Sequence, residues 1–338
     1  MKAAFYSGQA QFKIRQINPV SLENDSVLIN VAYSGICGTD IHIYHGAMDK
    51  RVHIPQVIGH EMSGIIEKTG KNVSGFKKGD KVTVRPLDWC GACAACRAGL
   101  FHICYKLNFI GIDSPGSYQE SWAVKERNVH KLPETISLRN AALIEPVAVA
   151  CHDIRMAGLK ENDFAVVLGG GPIGLLIALI LKLKKINVIL SEINSFRLSL
   201  AGKLGLTIIN PQEENLETSI NERTKAGGAD AVFEATASQT AADIMPRLLK
   251  SRGKMILVGI YSKPLQLDTS RIFLRELSLH GVRVYEEEDF TEAIMLAAQN
   301  ALPFNEIITR DFKLDEINDA FTYLDNSPNA MKILLQCS

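Results

Sequence analysis

The stretch Phe164-Ala165-Val166-Val167-Leu168-Gly169-Gly170-Gly171-Pro172-Ile173-Gly174 decides the fold of this chain. It begins with a short apolar run typical of a buried parallel strand, and its glycines match the G-x-G-x-x-G pattern that opens a helix. Gly169 permits the tight turn, Gly171 lets the backbone approach a pyrophosphate, and Gly174 allows the helix to pack closely on the strand. The sequence therefore predicts a dinucleotide-binding unit, with the phosphates at the helix N-terminus.

The next strand bears on which dinucleotide is bound. Residues 187–191 form a second apolar run that ends at Glu192, eighteen residues after Gly174. An acid in this place can accept hydrogen bonds from both ribose hydroxyls and repels a 2′-phosphate, which favours NAD over NADP. Arg197 leaves the alternative open, because it could face a 2′-phosphate or could be a charge on a helix surface.

Further strands continue the α/β alternation downstream of the glycine loop. We predict them at residues 230–235, 254–259 and 277–284, each separated from the last by a helical pattern. This alternation is typical of a parallel, doubly wound sheet. Val258 and Gly259 close one of these strands and are predicted to contact the cofactor.

The chain upstream of the loop follows a different pattern. Residues 1–130 contain short β-branched runs broken by Gly, Asn or Asp, which favours a barrel or a sandwich. Residues 138–159 have helical periodicity that we expect to be interrupted at Glu145-Pro146. A helix at 290–299 and a closing strand at 331–335 are predicted to return the chain end to the first domain.

Composition limits the class of protein. With 338 residues the chain is too long for one ordinary core, so two domains are expected. A hydrophobic share of 46% and a charged share of 22% are those of a soluble globular protein. Lys plus Arg and Asp plus Glu both number 37, so nothing in the charge favours nucleic acid or a membrane surface as a partner. The N-terminus has no secretion signal, and we expect a cytoplasmic protein.

Four cysteines lie close together in the first half of the chain. Cys90, Cys93, Cys96 and Cys104 are separated by two, two and seven residues. Two-residue gaps let thiolates converge on one ion, and four thiolates complete a closed tetrahedral shell, so we predict a structural zinc. Four cysteines can also hold an iron–sulfur cluster, but the small residues of this loop offer little hydrophobic cover, which favours zinc.

A second set of metal-binding side chains occurs earlier, in Gly35-Ile36-Cys37-Gly38-Thr39-Asp40 and Gly59-His60-Glu61. A thiolate and an imidazole are ligands that zinc prefers, and a catalytic zinc needs three protein ligands and one open position. Taken singly, these residues are better explained as a buried Cys and structural histidines. Glu145 either needs a partner, because a bare buried carboxylate is costly, or it is an acid in the first turn of a helix.

Together these motifs, in this order along essentially the whole chain, resemble those of the zinc-containing medium-chain dehydrogenases. The likeness is strongest to the branch that acts on polyols, sugar acids, butanediol and threonine. The resemblance implies a GroES-like β-barrel catalytic domain with a structural zinc lobe over residues 1–146. A Rossmann NAD-binding domain would follow over 147–284, and residues 285–338 would return to the catalytic domain.

The resemblance also assigns the catalytic zinc. Cys37 and His60 match the family's ligands. Glu61 ligates directly in the polyol-like branch, whereas the position of Glu145 supplies a ligand in simple alcohol dehydrogenases. The two glutamates therefore compete for the third place, and the other is expected near the water on the metal.

Proton movement is assigned to two residues on the same motif. In the relatives that act on threonine, Thr39 and then His42 correspond to a relay that carries the hydroxyl proton to solvent. A histidine suits this step because its ordinary pKa is about 6.5. The simpler interpretations are a turn hydroxyl for Thr39 and a surface helix residue for His42.

The substrate is the least determined part of the prediction. Arg283 aligns with an arginine that could orient hydroxyls or a carboxylate, although it could equally be a solvent-exposed charge at a strand end. We predict oxidation of a secondary hydroxyl of an unphosphorylated polyol or sugar acid by NAD, in a homodimer or homotetramer. The alternatives are a threonine- or butanediol-type dehydrogenase and a catalytically silent nucleotide-binding relative, which would have been expected to lose Cys37 or His60.

Overall fold

The computed structural model describes residues 1–18 and 21–338. The chain forms two compact units, one made of Met1–Glu145 with Phe290–Ser338 and the other of Pro146–Asp289. Among the described residues, no helix combines the length and the apolar character that crossing a membrane requires.

The first part of the chain is rich in short strands, with three short α-helices and two turns of 3-10 helix (Phe101–Ile103 and Glu126–Asn128). The strands are β1 (Lys2–Tyr6), β2 (Phe12–Gln16), β3 (Ser26–Gly35), β4 (Gln56–Val57), β5 (Glu61–Thr69), β6 (Lys81–Val84), β7 (Leu87–Asp88), β8 (Asn108–Phe109), β9 (Ser121–Lys125) and β10 (Val129–Lys131). The helices are α1 (Gly38–Tyr44), α2 (Ala94–Arg97) and α3 (Leu138–Ala141).

The second unit alternates helices and strands. Its helices are α4 (Ile144–Ala157), α5 (Pro172–Leu183), α6 (Ser195–Lys203), α7 (Leu216–Arg223), α8 (Gln239–Leu248) and α9 (Thr269–Leu274). Its strands are β11 (Phe164–Leu168), β12 (Asn187–Ser191), β13 (Thr207–Ile209), β14 (Ala229–Glu234), β15 (Leu249–Leu257) and β16 (Ser278–Gly281). All pair in parallel, in the order β13-β12-β11-β14-β15-β16. This order is that of a dinucleotide-binding fold and confirms the predicted doubly wound sheet.

The apolar runs explain why this sheet forms. β11 is buried from its second residue onward, and α5 is buried along most of its length, as expected where helices cover both faces of a parallel sheet. Val166 and Ile189 pack in one cluster with Val232, Met245 and Met255 from later elements. The strands at residues 164–168 and 187–191 have the predicted bounds.

The end of the chain contributes α10 (Glu287–Ala298), α11 (Phe304–Ile307), β17 (Ile308–Lys313), a 3-10 turn (Leu314–Glu316), α12 (Ile317–Asn326) and β18 (Lys332–Gln336). β18 pairs antiparallel with β3, and β17 pairs with β18 in parallel. The seven-stranded sheet of the first unit follows the order β10-β6-β5-β3-β18-β17, with β9 also on β3. β18, near the end of the chain, is therefore an interior strand of this sheet.

Three details differ from the sequence-based expectation. The strand predicted at 254–259 runs from Leu249 to Leu257, so it ends before Val258 and Gly259. The helical segment 138–159 is interrupted before Ile144, and Glu145-Pro146 lies in the first turn of α4. Proline is tolerated there because N–H groups of the first turn have no partner within the helix. The strand predicted at 277–284 ends at Gly281, and Val284 adopts a left-handed φ of 47°, which breaks the extended backbone. Arg283 therefore lies in the connection that follows the strand.

Candidate functional site

Cys37, His60 and Glu61 form a compact cluster in the first unit. One ligand atom from each lies within 4.8 Å of the other two. Cys37 is the N-cap of α1, where its backbone N–H donates to Asp40 Oδ2 at 2.9 Å. The register of β3 on β5 places Gly35 opposite Glu61, so the turn into α1 brings the thiol beside His60 and Glu61. Thiolate, imidazole and carboxylate are together a three-ligand set that suits a catalytic zinc.

Asp40 supports this cluster through the His60 ring, a role that the sequence analysis did not predict. Its carboxylate is fully buried, and Oδ1 lies 3.6 Å from His60 Nδ1. Tyr118, also fully buried, donates its hydroxyl to Asp40 Oδ2 at 2.8 Å. A carboxylate behind an imidazole fixes the orientation of the ring. The acid three residues after Cys37 was a usable signal, because that spacing is typical of a capped helix start.

The cluster is electrostatically coupled. Burial opposes a charge on His60, but Asp40 and Cys37 outweigh it and raise the pKa of His60 above its usual value. At Tyr118 burial and the neighbouring Asp40 act in the same direction, and both raise the pKa of the hydroxyl. The charges of Asp40 and Cys37 therefore act on both His60 and Tyr118.

Lys332 is a second residue that sequence reasoning did not single out. Its side chain is 3% exposed, its ammonium is ion-paired with Glu61 Oε2, and it donates to the carbonyl of Ile36 at 2.9 Å. Burial alone would lower the pKa of Lys332, but Glu61 and Cys37 raise it above its usual value. A buried ammonium therefore sits directly against one of the candidate metal ligands.

Glu145 lies near the cluster without joining its tight group. It is 4% exposed, in the first turn of α4, and its charge helps to raise the pKa of both His60 and Lys332. Of the two competing glutamates, the fold brings Glu61 within ligand range of Cys37 and His60.

Thr39 and His42 stand on α1, three residues apart. This spacing makes them neighbours on one helix face. Thr39 is half-buried beside Cys37, to whose sulfur its backbone N–H donates at 3.5 Å, whereas His42 is exposed. The pair therefore runs from the cluster toward solvent.

The four cysteines of residues 90–104 converge as the spacing predicts. Their Sγ–Sγ separations include 3.5 Å for Cys93–Cys96, 3.8 Å for Cys93–Cys104 and 3.5 Å for Cys90–Cys104. A tetrahedron with zinc–sulfur bonds of about 2.3 Å has edges of about 3.8 Å, so the four atoms fit that ion. Backbone N–H groups of Cys96 and Tyr105 lower the pKa of Cys93 to about 6, which favours its thiolate.

The glycine loop has the geometry assigned to it from the sequence. Gly169 has a φ of 98°, and a Cβ there would lie 2.6 Å from Thr236 Cγ2. A Cβ on Gly174 would lie 1.9 Å from the carbonyl oxygen of Gly169. At Gly171, the N-cap of α5, a Cβ would meet nothing closer than Arg197 Nη1 at 3.8 Å. The first and third glycines are thus required by packing, and the second leaves space before the helix N-terminus, as a pyrophosphate would need.

Glu192 is held inside this loop. Its carboxylate accepts from the backbone N–H groups of Gly170 and Ile193, both at 2.7 Å, and Arg197 Nη1 lies 3.6 Å away. A third backbone N–H, from Asn194, donates at 2.9 Å. Three backbone N–H groups therefore hold the Glu192 carboxylate in place at this loop.

The remaining predicted residues belong to the second unit. Val258 and Gly259 follow β15 directly, and their N–H groups both donate to the carbonyl of Glu234 at 2.9 Å. Arg283 is exposed in the connection between β16 and α10. The loops after β14 and β15 are therefore tied together, whereas Arg283 is open to solvent.

Comparison with known proteins places this geometry in a family. Residues 23–134 match the alcohol dehydrogenase GroES-like domain, and residues 172–299 match the zinc-binding dehydrogenase domain. The 2-dehydro-3-deoxy-L-galactonate 5-dehydrogenase of Pseudoalteromonas atlantica is 44% identical over 100% of this chain and 99% of its own. The D-arabitol-phosphate dehydrogenase of Enterococcus avium is 34% identical over 97% of this chain and 95% of its own.

Solved structures agree with the sequence relatives. A zinc-binding dehydrogenase from Sinorhizobium meliloti 1021, bound to NADP, superimposes with a TM-score of 0.93 at 28% identity, over 99% of this chain and 98% of that one. These matches confirm the predicted GroES-like and Rossmann architecture. The chain belongs to the family of zinc-binding dehydrogenases with a GroES-like domain, which are oxidoreductases that use a nicotinamide cofactor.

Proposed function

We propose that this protein oxidises a secondary hydroxyl of a sugar acid or a related polyol with NAD. The observation that carries the proposal is the buried cluster of Cys37, His60 and Glu61, whose ligand atoms lie within 4.8 Å of one another. The 44% identical relative, named for a sugar acid, favours an acid over a neutral polyol. In this proposal residues 1–146 catalyse, 147–284 bind NAD, and 285–338 complete the catalytic domain.

Cys37, His60 and Glu61 would hold a catalytic zinc, and Glu145 is proposed to lie near the water on that zinc. When bound, zinc supplies a Lewis acid that lowers the pKa of the substrate hydroxyl, and NAD accepts the hydride. Asp40 would keep the His60 ring aligned for this ligation. The donor set fits a zinc with one exchangeable position, because the described cluster offers three ligands where a closed site offers four.

Thr39 and His42 would move the proton. The half-buried hydroxyl of Thr39 accepts the proton of the substrate hydroxyl and passes its own to His42, which is exposed and releases it to solvent. Removal of the proton in this direction leaves the carbinol carbon free to give up a hydride, so that alcohol becomes ketone. Arg283 is proposed as a substrate contact on the grounds of its family alignment alone.

The four cysteines would hold a second, structural zinc. Sulfur separations near 3.8 Å support this assignment. All seven cysteines of the chain are free thiols, which supports a reducing compartment such as the cytoplasm.

Glu192 supports NAD over NADP. Its buried carboxylate stands at the end of β12, where a 2′-phosphate would meet its charge. Arg197, 3.6 Å away, is already engaged by Glu192, so its charge is partly neutralised.

A homodimer or homotetramer is supported by the edge of the parallel sheet. Among the described strands β16 pairs only with β15, and Leu279 on it is 45% exposed. On α9, Phe273 and Leu274 are 80% and 77% exposed. Apolar side chains beside an unpaired strand edge suit coverage by a second copy. Light scattering on the purified protein measures the number of subunits.

The test of the proposed function follows NADH formation by near-UV absorbance with zinc-replete protein. The panel holds deoxy sugar acids, aldonic acids, polyols, sugar phosphates, threonine and butanediols, with NAD and NADP in parallel. We expect turnover with a sugar acid and NAD. Turnover confined to threonine or butanediol would replace the proposed substrate, and silence across the panel with zinc and NAD both bound would refute the proposed activity.

The same assay tests the proton relay. Thr39→Val should lower kcat about 100-fold, the typical contribution of a positioned proton-transfer group, while Thr39→Ser should retain most activity because it keeps the hydroxyl. A Thr39→Val protein with unchanged kcat would remove Thr39 from the relay.

A further inference from the structure

The buried ion pair between Lys332 and Glu61 has no part in the mechanism above. Both side chains are nearly inaccessible, at 3% and 1% exposure. Lysine is almost never fully buried unless it is paired, because its charge is costly to remove from water. The buried ammonium of Lys332 is therefore compensated by the carboxylate of Glu61, which is also a candidate zinc ligand.

The sheet of the first unit makes this contact possible. β3 lies between β5 and β18, so Gly35 stands opposite Glu61 on one side and Leu334 on the other. A Cβ on Gly35 would lie 2.1 Å from Glu61 Oε2 and 3.1 Å from Lys332 Cε. The pair thus crosses β3 over a position where only glycine leaves room.

Strand β18 places the positive charge of Lys332 next to the candidate metal cluster, where Glu61 carries a negative charge. Lys332 also donates to the carbonyl of Ile36, the residue before Cys37, at 2.9 Å. Its ammonium is thus fixed by two partners beside the cluster. A zinc ion at the cluster would share Glu61 with this ammonium, and two cations on one carboxylate repel each other.

We propose that Lys332 is a positioning residue that competes with zinc for the Glu61 carboxylate, lowering the affinity of the catalytic site for its metal. The competition withdraws part of the charge that Glu61 would otherwise donate to zinc, which keeps the ion more electropositive. The inference rests on the proposed ligand set Cys37, His60 and Glu61. It predicts that removing the ammonium tightens zinc binding, whereas a merely structural lysine would weaken zinc binding when lost.

The test compares Lys332→Met, which removes the charge at similar length, with Lys332→Arg, which keeps it. Zinc affinity is measured by competition with a chromogenic chelator, on protein whose four-cysteine lobe stays loaded. We expect Lys332→Met to bind the catalytic zinc at least about tenfold more tightly, since like charges a few ångströms apart repel by more than that factor at protein dielectric values. Lys332→Arg should stay within about threefold of the parent protein.

The control is Lys68→Met, which removes an exposed ammonium from β5 and should leave zinc affinity unchanged. A Glu61→Gln background removes the shared carboxylate, so the effect of Lys332→Met should shrink to less than about threefold there. The absorption spectrum of cobalt-substituted protein reports the coordination directly and should change in Lys332→Met.

Unchanged or weaker zinc binding in a folded Lys332→Met protein would overturn the inference. If Lys332→Met does not fold, the zinc affinity of Lys332→Gln is compared with that of Lys332→Arg. Unchanged or weaker zinc binding in Lys332→Gln would then overturn the inference. Failure of the ligand set itself is distinguishable, because then Cys37→Ser would not release one of two zinc ions from the parent protein.

Discussion

The two candidate metal-binding clusters of the first unit are built in opposite ways. The four cysteines lie within fifteen residues, and their convergence needs only the turns of the loop that carries them. Cys37, His60 and Glu61 come from the ends of β3 and β5, and they meet because those strands pair in one register. The first cluster offers four identical ligands and closes its shell, whereas the second offers three different ones. Locally encoded ligands suit a structural ion, and ligands held by a sheet suit one that must keep a position open.

The largest expected effect separates the two clusters by activity. Cys37→Ser should lower kcat/KM at least about 1000-fold, because the reaction would lose its Lewis acid. Metal analysis should find one zinc fewer, with the lobe still loaded. A variant that keeps both zinc ions and its activity would contradict the assignment of Cys37.

An intermediate effect tests whether the sheet-built cluster depends on its support. Asp40→Asn keeps the size of the side chain but removes the charge 3.6 Å from His60 Nδ1. Loss of such a supporting carboxylate typically costs about 10–100-fold in metal affinity or activity. Zinc affinity and kcat/KM are measured together, with Asp49→Asn on the exposed surface as the matched control for charge. If Asp40→Asn and Asp49→Asn bind zinc with equal affinity, zinc binding by His60 does not depend on the Asp40 carboxylate.

The smallest effect on activity is expected in the locally built cluster. Cys93→Ser should release one zinc and lower Tm, while kcat/KM per remaining zinc falls less than about tenfold, because a closed shell takes no substrate. Trp89 reports the event, since it directly precedes Cys90 in the chain, and the Arg85 and Arg127 guanidinium groups each lie 5.0 Å from the centroid of its ring. Its emission should change in Cys93→Ser and stay constant in Cys37→Ser. A loss of activity as large as that of Cys37→Ser would show that the lobe also shapes the catalytic cluster.

Sequence reasoning succeeded where neighbours in the chain are neighbours in space. The run 164–168 and the glycines after it predicted the strand, the turn and the start of the helix correctly, because buried strands and tight turns have local requirements. The predicted bounds were less accurate where contacts outside a segment decide the point at which a strand or helix ends. β16 ends at Gly281, earlier than predicted, and the helix break falls before Glu145 rather than at it.

The ligand question illustrates the same limit. The resemblance to the family made Glu61 and Glu145 competing candidates for the third ligand of the catalytic zinc. The fold puts Glu61 against Cys37 and His60, and it adds Asp40 and Lys332, to which the sequence analysis gave no role.

The sequence by itself determined the two-domain plan, the glycine loop and the four-cysteine lobe, because each depends on spacings of a few residues. Only the tertiary structure decided which charges surround the catalytic cluster. Lys332 forms an ion pair with Glu61 across Gly35. Its hydrogen bond to the carbonyl of Ile36 joins residues that are 296 positions apart in the chain. Such a contact is fixed by the register of β18 on β3, and register is a property of the whole sheet rather than of either strand.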